Sequence, residues 1–298
     1  MAASCQARAL EAVMPIRSSA TAMLVLLWTA SAAAQNAGAV VAAASKAMGA
    51  DALTSITYSG TARNGSFGQS KTIGEPMGPV NVTQITQYTR TINFGQPTDP
   101  TALVSRATGP TQPPTVPGLP PPMPGVLNQN ITGNQAANNW NQALNIWTTP
   151  WGFLKGAAAN NATARQEGGQ QVVSFTPPAL KSPSGLPYSV TGYIDKQNMV
   201  TKVETRVEHA VVGDLLVEFE YSGYQSRNGV QVPGRIVQRQ AGLQTFDANI
   251  TAATPNPSNL TELLTPPPAP ARAGGPPGAG APAGAPGAGG QRGGGAAP

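Results

Sequence analysis

With one cysteine, one histidine and only 10% charged residues among 298, the chain lacks the material for a disulfide scaffold or a multi-histidine zinc site. Its net charge of +5 is a small, scattered excess of Lys and Arg, with no basic run and no interleaved aromatics, which argues against nucleic-acid binding. Stability must come from a buried apolar core, and the body over residues 35–264 is long enough to build one.

At the N-terminus, Arg8 and Arg17 precede the apolar run from Ala20 to Trp28, and Ala32-Ala33-Ala34 leads into Gln35. A positive head, a short apolar stretch and a small-residue end are the parts of a secretory signal peptide, so residues 1–34 are assigned to one. The stretch is shorter than the ~20 residues a spanning helix needs. An uncleaved anchor is the alternative reading, and Met14 offers a second start. The expected location is periplasmic or secreted, with membrane contact only through this segment. Cys5 lies inside it, leaving the body without a thiol nucleophile or thiolate ligand.

The Ala/Val-rich stretch from Ala37 to Met48 ends at Gly49, which predicts a short helix with a glycine stop. Leu53 to Gly60 reads as a first strand, with Gly60 and Asn64-Gly65 as turn signals. Val82 to Phe94, rich in Thr, Ile, Val and Tyr, predicts a long strand, and Ala102 to Ala107 a shorter one. Residues 108–125 hold many prolines and predict an exposed loop, either a solvated insertion or an extended ligand for a partner. Val126 to Gly133 suits a strand, while the Asn/Gln-rich piece up to Trp147 is ambiguous. Thr149 followed by Pro150 is a helix start, with Phe153 and Leu154 on its apolar side and an end near Asn160-Asn161.

From Gln171 to Ala252 the pattern is a meander. Strands are predicted at Val172–Phe175, Val190–Ile194, Val200–Val207, Leu215–Tyr221, Val230–Val237 and Leu243–Ile250, with turns at Asp195–Asn198, Gly213-Asp214 and Asn228-Gly229. Val203, Thr205 and Val207 alternate with Lys202, Glu204 and Arg206; Leu215, Val217, Phe219 and Tyr221 alternate with Glu218 and Glu220. Such alternation gives one wet and one buried face, the mark of an antiparallel sheet. The predicted class is mainly β (α+β): a curved antiparallel sheet wrapped on one or two helices. Residues 265–298 are almost all Pro, Gly and Ala and predict a disordered tail.

Catalytic chemistry has few candidates. His209, the sole histidine, sits at a predicted strand end with no G-x-S-x-G nearby and reads as an exposed strand-end residue. Glu218 and Glu220 share a strand face and could act as acid and base, but the alternation makes them the solvated side of the sheet. Gly65-Ser-Phe-Gly68 lacks the ending of a phosphate loop. Chance accounts for most of the six Asn-x-Ser/Thr sequons, at Asn64, Asn81, Asn130, Asn161, Asn249 and Asn259, in a chain this rich in Asn and Thr. No catalytic residue, metal site or cofactor is expected.

Several segments together carry a resemblance: Ala47 to Gly60, Phe67-Gly-Gln69, Thr149-Pro-Trp-Gly-Phe-Leu-Lys155, Val190 to Asp195, Gly213-Asp214 and Glu220-Tyr-Ser-Gly-Tyr224. Over residues 44–252 the chain resembles the N-terminal region of a group of exported bacterial metallo-β-lactamase-fold hydrolases. That region looks like a lipoprotein-carrier (LolA/LolB-like) module, a half-barrel around helices. The hydrolase motif His-x-His-x-Asp-His is absent, so the resemblance implies a fold and a location but neither metal nor hydrolysis.

A sheet curved around helices has a concave apolar face where a lipid or acyl chain could lie. Phe153, Leu154, Tyr193, Val203, Val217 and Phe219 are the candidates for lining it, with plain core packing as the alternative for each. The expected function is a non-enzymatic carrier of a lipid, lipoprotein or other hydrophobic ligand; the alternative is an accessory or scaffolding module for a separately encoded envelope hydrolase.

Overall fold

A computed structural model describes residues 37–67, 79–95, 99, 101–115, 118, 120, 123–133, 140–178, 181–209 and 213–266. The expected signal peptide and the expected Pro/Gly/Ala tail lie outside them, Thr265 and Pro266 excepted. Helix α1 covers residues 37–48. Strands β1 (Ser55–Phe67), β2 (Pro79–Asn93), β3 (Leu103–Gln112) and β4 (Gly125–Thr132) follow, then helices α2 (Trp140–Trp147) and α3 (Pro150–Ala159). Next come β5 (Thr163–Glu167), β6 (Gln170–Phe175), β7 (Val190–Ile194), β8 (Val200–His209) and β9 (Gly213–Ser222). The chain then forms β10 (Gln225–Arg227), β11 (Val230–Val232), β12 (Arg235–Gln240), β13 (Leu243–Pro255) and the short helix α4 (Leu260–Leu264).

Eleven strands make one antiparallel sheet in the order β4-β3-β2-β1-β13-β12-β9-β8-β7-β6-β5, and β10 and β11 form a separate hairpin. Apart from that hairpin the sheet is two meanders joined by β13, which returns to pair with β1. The Asn256 side chain secures that return, accepting from Thr54 N at 2.8 Å and Ser55 N at 3.1 Å and donating to Ala52 O at 2.9 Å.

The sheet curves without closing into a barrel. Register breaks at Ser59/Gly60 and Gly60/Ala62 in β1 and at Ile85/Thr89 in β2 mark bulges, which bend the longest strands. The effect shows in who meets whom. Tyr88 on β2 and Phe246 on β13 are two strands apart, about 10 Å in a flat sheet, yet their ring centroids lie 5.4 Å apart.

On the concave side one row of cross-strand neighbours crosses most of the sheet: Ala164, Val173, Gly192, Val203, Phe219, Gln238, Phe246, Asn64 and Thr83. Phe153 of α3 fills the gap this row leaves at Gly192, where a Cβ would fall 2.3 Å from the ring. Burying such a side chain contributes roughly 1.5–3 kcal/mol, and α1, α3 and the sheet share one apolar core through Val41, Met48, Trp151, Leu154 and Ile194.

Several expectations are corrected. The proline-rich loop begins after Gln112, because β3 continues through Thr108–Gln112. Pro110 is tolerated there because it falls opposite the register break in β2, where no donor is required. Gly60 and Asn64-Gly65 are not turns but interior residues of β1, which has partners on both sides and needs no positive φ at those positions. Asn228-Gly229, with φ of 48° and 79°, does form the expected turn. The single strand expected over Val230–Val237 is split at Pro233-Gly234 into β11 and β12, which belong to different sheets. Elements β5 and α4 have no counterpart in the sequence pattern, and the described part of the ambiguous segment, Trp140–Trp147, is α2.

Candidate functional site

Helices α2 and α3 lie against the concave face, and their elbow is set locally. Thr149 caps α3: its Oγ1 accepts from Gly152 N at 3.1 Å and donates to Ile146 O at 2.7 Å, while Pro150 needs no donor partner at the first helical position. Gly152 permits the tight bend, since a Cβ there would sit 1.9 Å from Ile146 O.

Beneath the elbow, aromatic rings line the sheet. Tyr58 lies 6.4 Å from Tyr88 and 6.2 Å from Trp151, centroid to centroid, contacts worth about 0.5–1.5 kcal/mol each. The Trp151 indole is fixed from the far side by its Nε1–H, which donates to Gln231 O of β11 at 3.1 Å. Two adjoining cavities open here. One, of about 60 Å³, is bounded by Tyr58, Tyr88, Arg90, Trp151, Tyr221 and Phe246. The other, of about 340 Å³, is bounded by Leu144, Thr205, Val207, Val217, Gln240 and Thr245. Asn64, Gln129, Asn145, Phe219 and Gln238 border both. The larger one is within the size range of small-molecule sites.

Arg90 stands opposite Tyr58 in the β1–β2 register and points inward with Tyr88 and Ile92. Its Nη2 donates to Asn145 O of α2 at 3.0 Å, and Nε to Ser105 Oγ at 3.4 Å. Tyr221 donates its hydroxyl to Thr148 O just beyond the same helix. Leu144 O and Ile146 O accept from Thr148 N and Thr149 N, but among the described residues Asn145 O and Thr148 O have no backbone donor. Arg90 and Tyr221 thus satisfy groups that would otherwise be orphaned, and the cation complements the negative end of the helix dipole. Burial raises the Tyr88 and Tyr221 phenols well above the usual tyrosine range, keeping both as neutral hydroxyls.

Of the residues expected to line a ligand cleft, Phe153, Leu154 and Val203 are fully buried packing residues and border neither cavity. Val217 borders the larger cavity and Phe219 both. Tyr193 is corrected: it lies on the outer face, where its hydroxyl donates to Glu204 Oε1 at 3.0 Å and the Lys202 ammonium sits 4.1 Å from its ring centroid. The inward positions of β7 are Val190, Gly192 and Ile194. Glu218 and Glu220 are on the outer face too, paired with Lys202 at 3.3 Å and Arg239 at 3.1 Å. His209 ends β8 and is half-buried rather than exposed. Among the described residues no group of three or more His, Cys, Asp or Glu could hold a metal ion, and no helix is long and apolar enough to cross a membrane.

Sequence reasoning missed Tyr58, Tyr88, Arg90, Trp151 and Tyr221. The spacing of Tyr88, Arg90 and Ile92 carried a usable signal, an arginine in phase with apolar residues.

No family model matches the chain, and no curated protein matches it. Solved structures similar to it include the following two. The LolA superfamily protein NE2245 from Nitrosomonas europaea shares 11% identity over 77% of this chain and 97% of its own, with a TM-score of 0.38. A DUF1329 family protein from Desulfovibrio piger ATCC 29098 shares 9% over 73% and 92%, with a TM-score of 0.35. Both likenesses are loose, and the functional reading rests on this chain's own residues.

Proposed function

We propose that the protein is an exported, non-enzymatic carrier that holds a hydrophobic or amphiphilic ligand, lipid or lipoprotein, between the concave face of the sheet and helix α2. The observation that supports this is the pair of adjoining cavities under α2: the smaller is walled by Tyr58, Tyr88, Trp151, Phe219 and Phe246, and the larger mainly by amides and threonines together with Leu144, Val207, Val217 and Phe219. An aromatic end joined to a roomier end rich in neutral polar groups is the composition of a site for an amphiphile rather than of a closed core. Helix α2 is tied to the sheet there by the Arg90 and Tyr221 hydrogen bonds. Displacing them would widen the space without disturbing α3, whose Phe153 and Leu154 belong to the packed core.

Native mass spectrometry of the protein purified without detergent tests the proposal. The expected result is a mass increment of one lipid-sized ligand, removed by organic extraction and restored by incubation with lipid vesicles. Protein that is repeatedly empty, and stays empty after incubation, would overturn it.

A further inference from the structure

Among the described residues Arg90 is the one ionised side chain bordering the two cavities; the others are aromatic, aliphatic, hydroxyl, amide, Gly or Pro. The cations of the outer face are treated differently. Lys202 pairs with Glu204 and Glu218, Arg239 with Glu220, and Arg235 with Asp247 at 2.9 Å. Among the described residues Arg90 has no carboxylate partner. Its surroundings are the hydroxyls of Tyr58, Tyr88 and Tyr221, the Ser105 hydroxyl and the Asn145 carbonyl, all neutral. A guanidinium whose only compensation is neutral acceptors and the end of one short helix dipole is matched by no full charge, and in such low-dielectric surroundings an anion gains far more than it would in water. The guanidinium fork also matches carboxylate and phosphate oxygens geometrically.

We infer that the carried ligand is an amphiphile with an anionic head group, and that Arg90 reads this head while the aromatic walls hold the apolar chain. The inference rests on the carrier reading and narrows it to a ligand class. A carboxylate and a phosphate share the required chemistry, and a neutral lipid lacks it.

The test is displacement of the neutral fluorophore N-phenyl-1-naphthylamine from the full chain by oleate, by oleoyl-lysophosphatidylglycerol and by monoolein, using wild type, Arg90→Gln and Arg90→Lys. Wild type should bind at least one of the two anionic lipids about tenfold or more tighter than monoolein. Which one distinguishes a carboxylate from a phosphate ligand. Arg90→Gln should lose that preference, its affinities for the anionic lipid and for monoolein becoming equal whatever their absolute level, and Arg90→Lys should retain most of it. Equal wild-type affinity for all three lipids would overturn the head-group inference and leave the carrier reading standing, and this comparison holds even where Arg90→Gln fails to fold. Equal weakening toward all three in Arg90→Gln would assign Arg90 to holding α2 and also overturn the inference. Binding of none of them would overturn both.

Discussion

Replacing Gly192 with alanine should destabilise the protein, although a strand ordinarily gains from that exchange. Removing a glycine from a strand interior is worth roughly 0.5–1 kcal/mol through reduced backbone freedom. Here the added Cβ would lie 2.3 to 2.6 Å from three atoms of the Phe153 ring. That ring is fully buried, with Phe175 at 5.8 Å and Val173 and Val203 flanking Gly192 on the neighbouring strands. It has nowhere to retreat, and overpacking of this kind costs about 1–3 kcal/mol. The net loss should be on the order of 1–2 kcal/mol, and a domain of this size loses about 2–4 °C in Tm per kcal/mol. Urea and thermal unfolding followed by circular dichroism would read it. Phe153→Leu in the same background should return part of the loss, with a coupling of about 0.5–3 kcal/mol for residues in contact. Gly192→Ala at or above wild-type stability, or strict additivity with Phe153→Leu, would refute the argument.

Tyr221→Phe removes the donor to Thr148 O and leaves that buried carbonyl unpaired, which should cost about 1–3 kcal/mol; faster amide exchange confined to residues 144–149 would locate the effect. On the outer face, Glu218→Gln and Glu220→Gln break half-exposed ion pairs and should each change stability by less than about 1 kcal/mol, with lipid displacement unchanged; abolished binding would contradict the assignment of faces. Glu208 accepts from Ser184 Oγ at 2.6 Å and Ser184 N at 3.0 Å, and these bonds, the hydroxyl's first, hold its carboxyl below the usual glutamate range. Its contribution is therefore present above the ordinary glutamate pKa and fades as pH falls through the lowered one. Ser184→Ala should raise the Glu208 pKa in an NMR titration, and the stability gap from wild type should vanish in acid.

The alternation of β8 and β9 was legible because every inward position there is apolar or Thr and most outward ones are charged or polar. In β7 the same rule misled. Its core-facing middle position is a glycine, so the bulky Tyr193 looked like the inward residue, and only the Phe153 ring packed on Gly192 reveals the true phase. Strand lengths were least legible where tertiary pairing overrides local turn chemistry, as at Asn64-Gly65 and Pro110. The site was largely hidden for a related reason: bulges and curvature, which no local pattern records, bring Arg90 of β2 into range of Tyr221 on β9, four strands away in sheet order.

The return of β13 bears on how the molecule assembles. Without that strand the sheet falls into two sequence-local pieces, β4-β3-β2-β1 and β12-β9-β8-β7-β6-β5. Each can form from short-range hairpins, whereas the seam between them brings together residues 202 positions apart, the kind of non-local pairing that folds late. The walls of the cavity are divided along the same line, with Tyr58, Tyr88 and Arg90 on one piece, Phe219, Tyr221 and Gln238 on the other, and Phe246 on the seam strand itself. A half-assembled chain thus has no enclosed compartment, and the cavity exists only once the last long strand has zipped the two halves together.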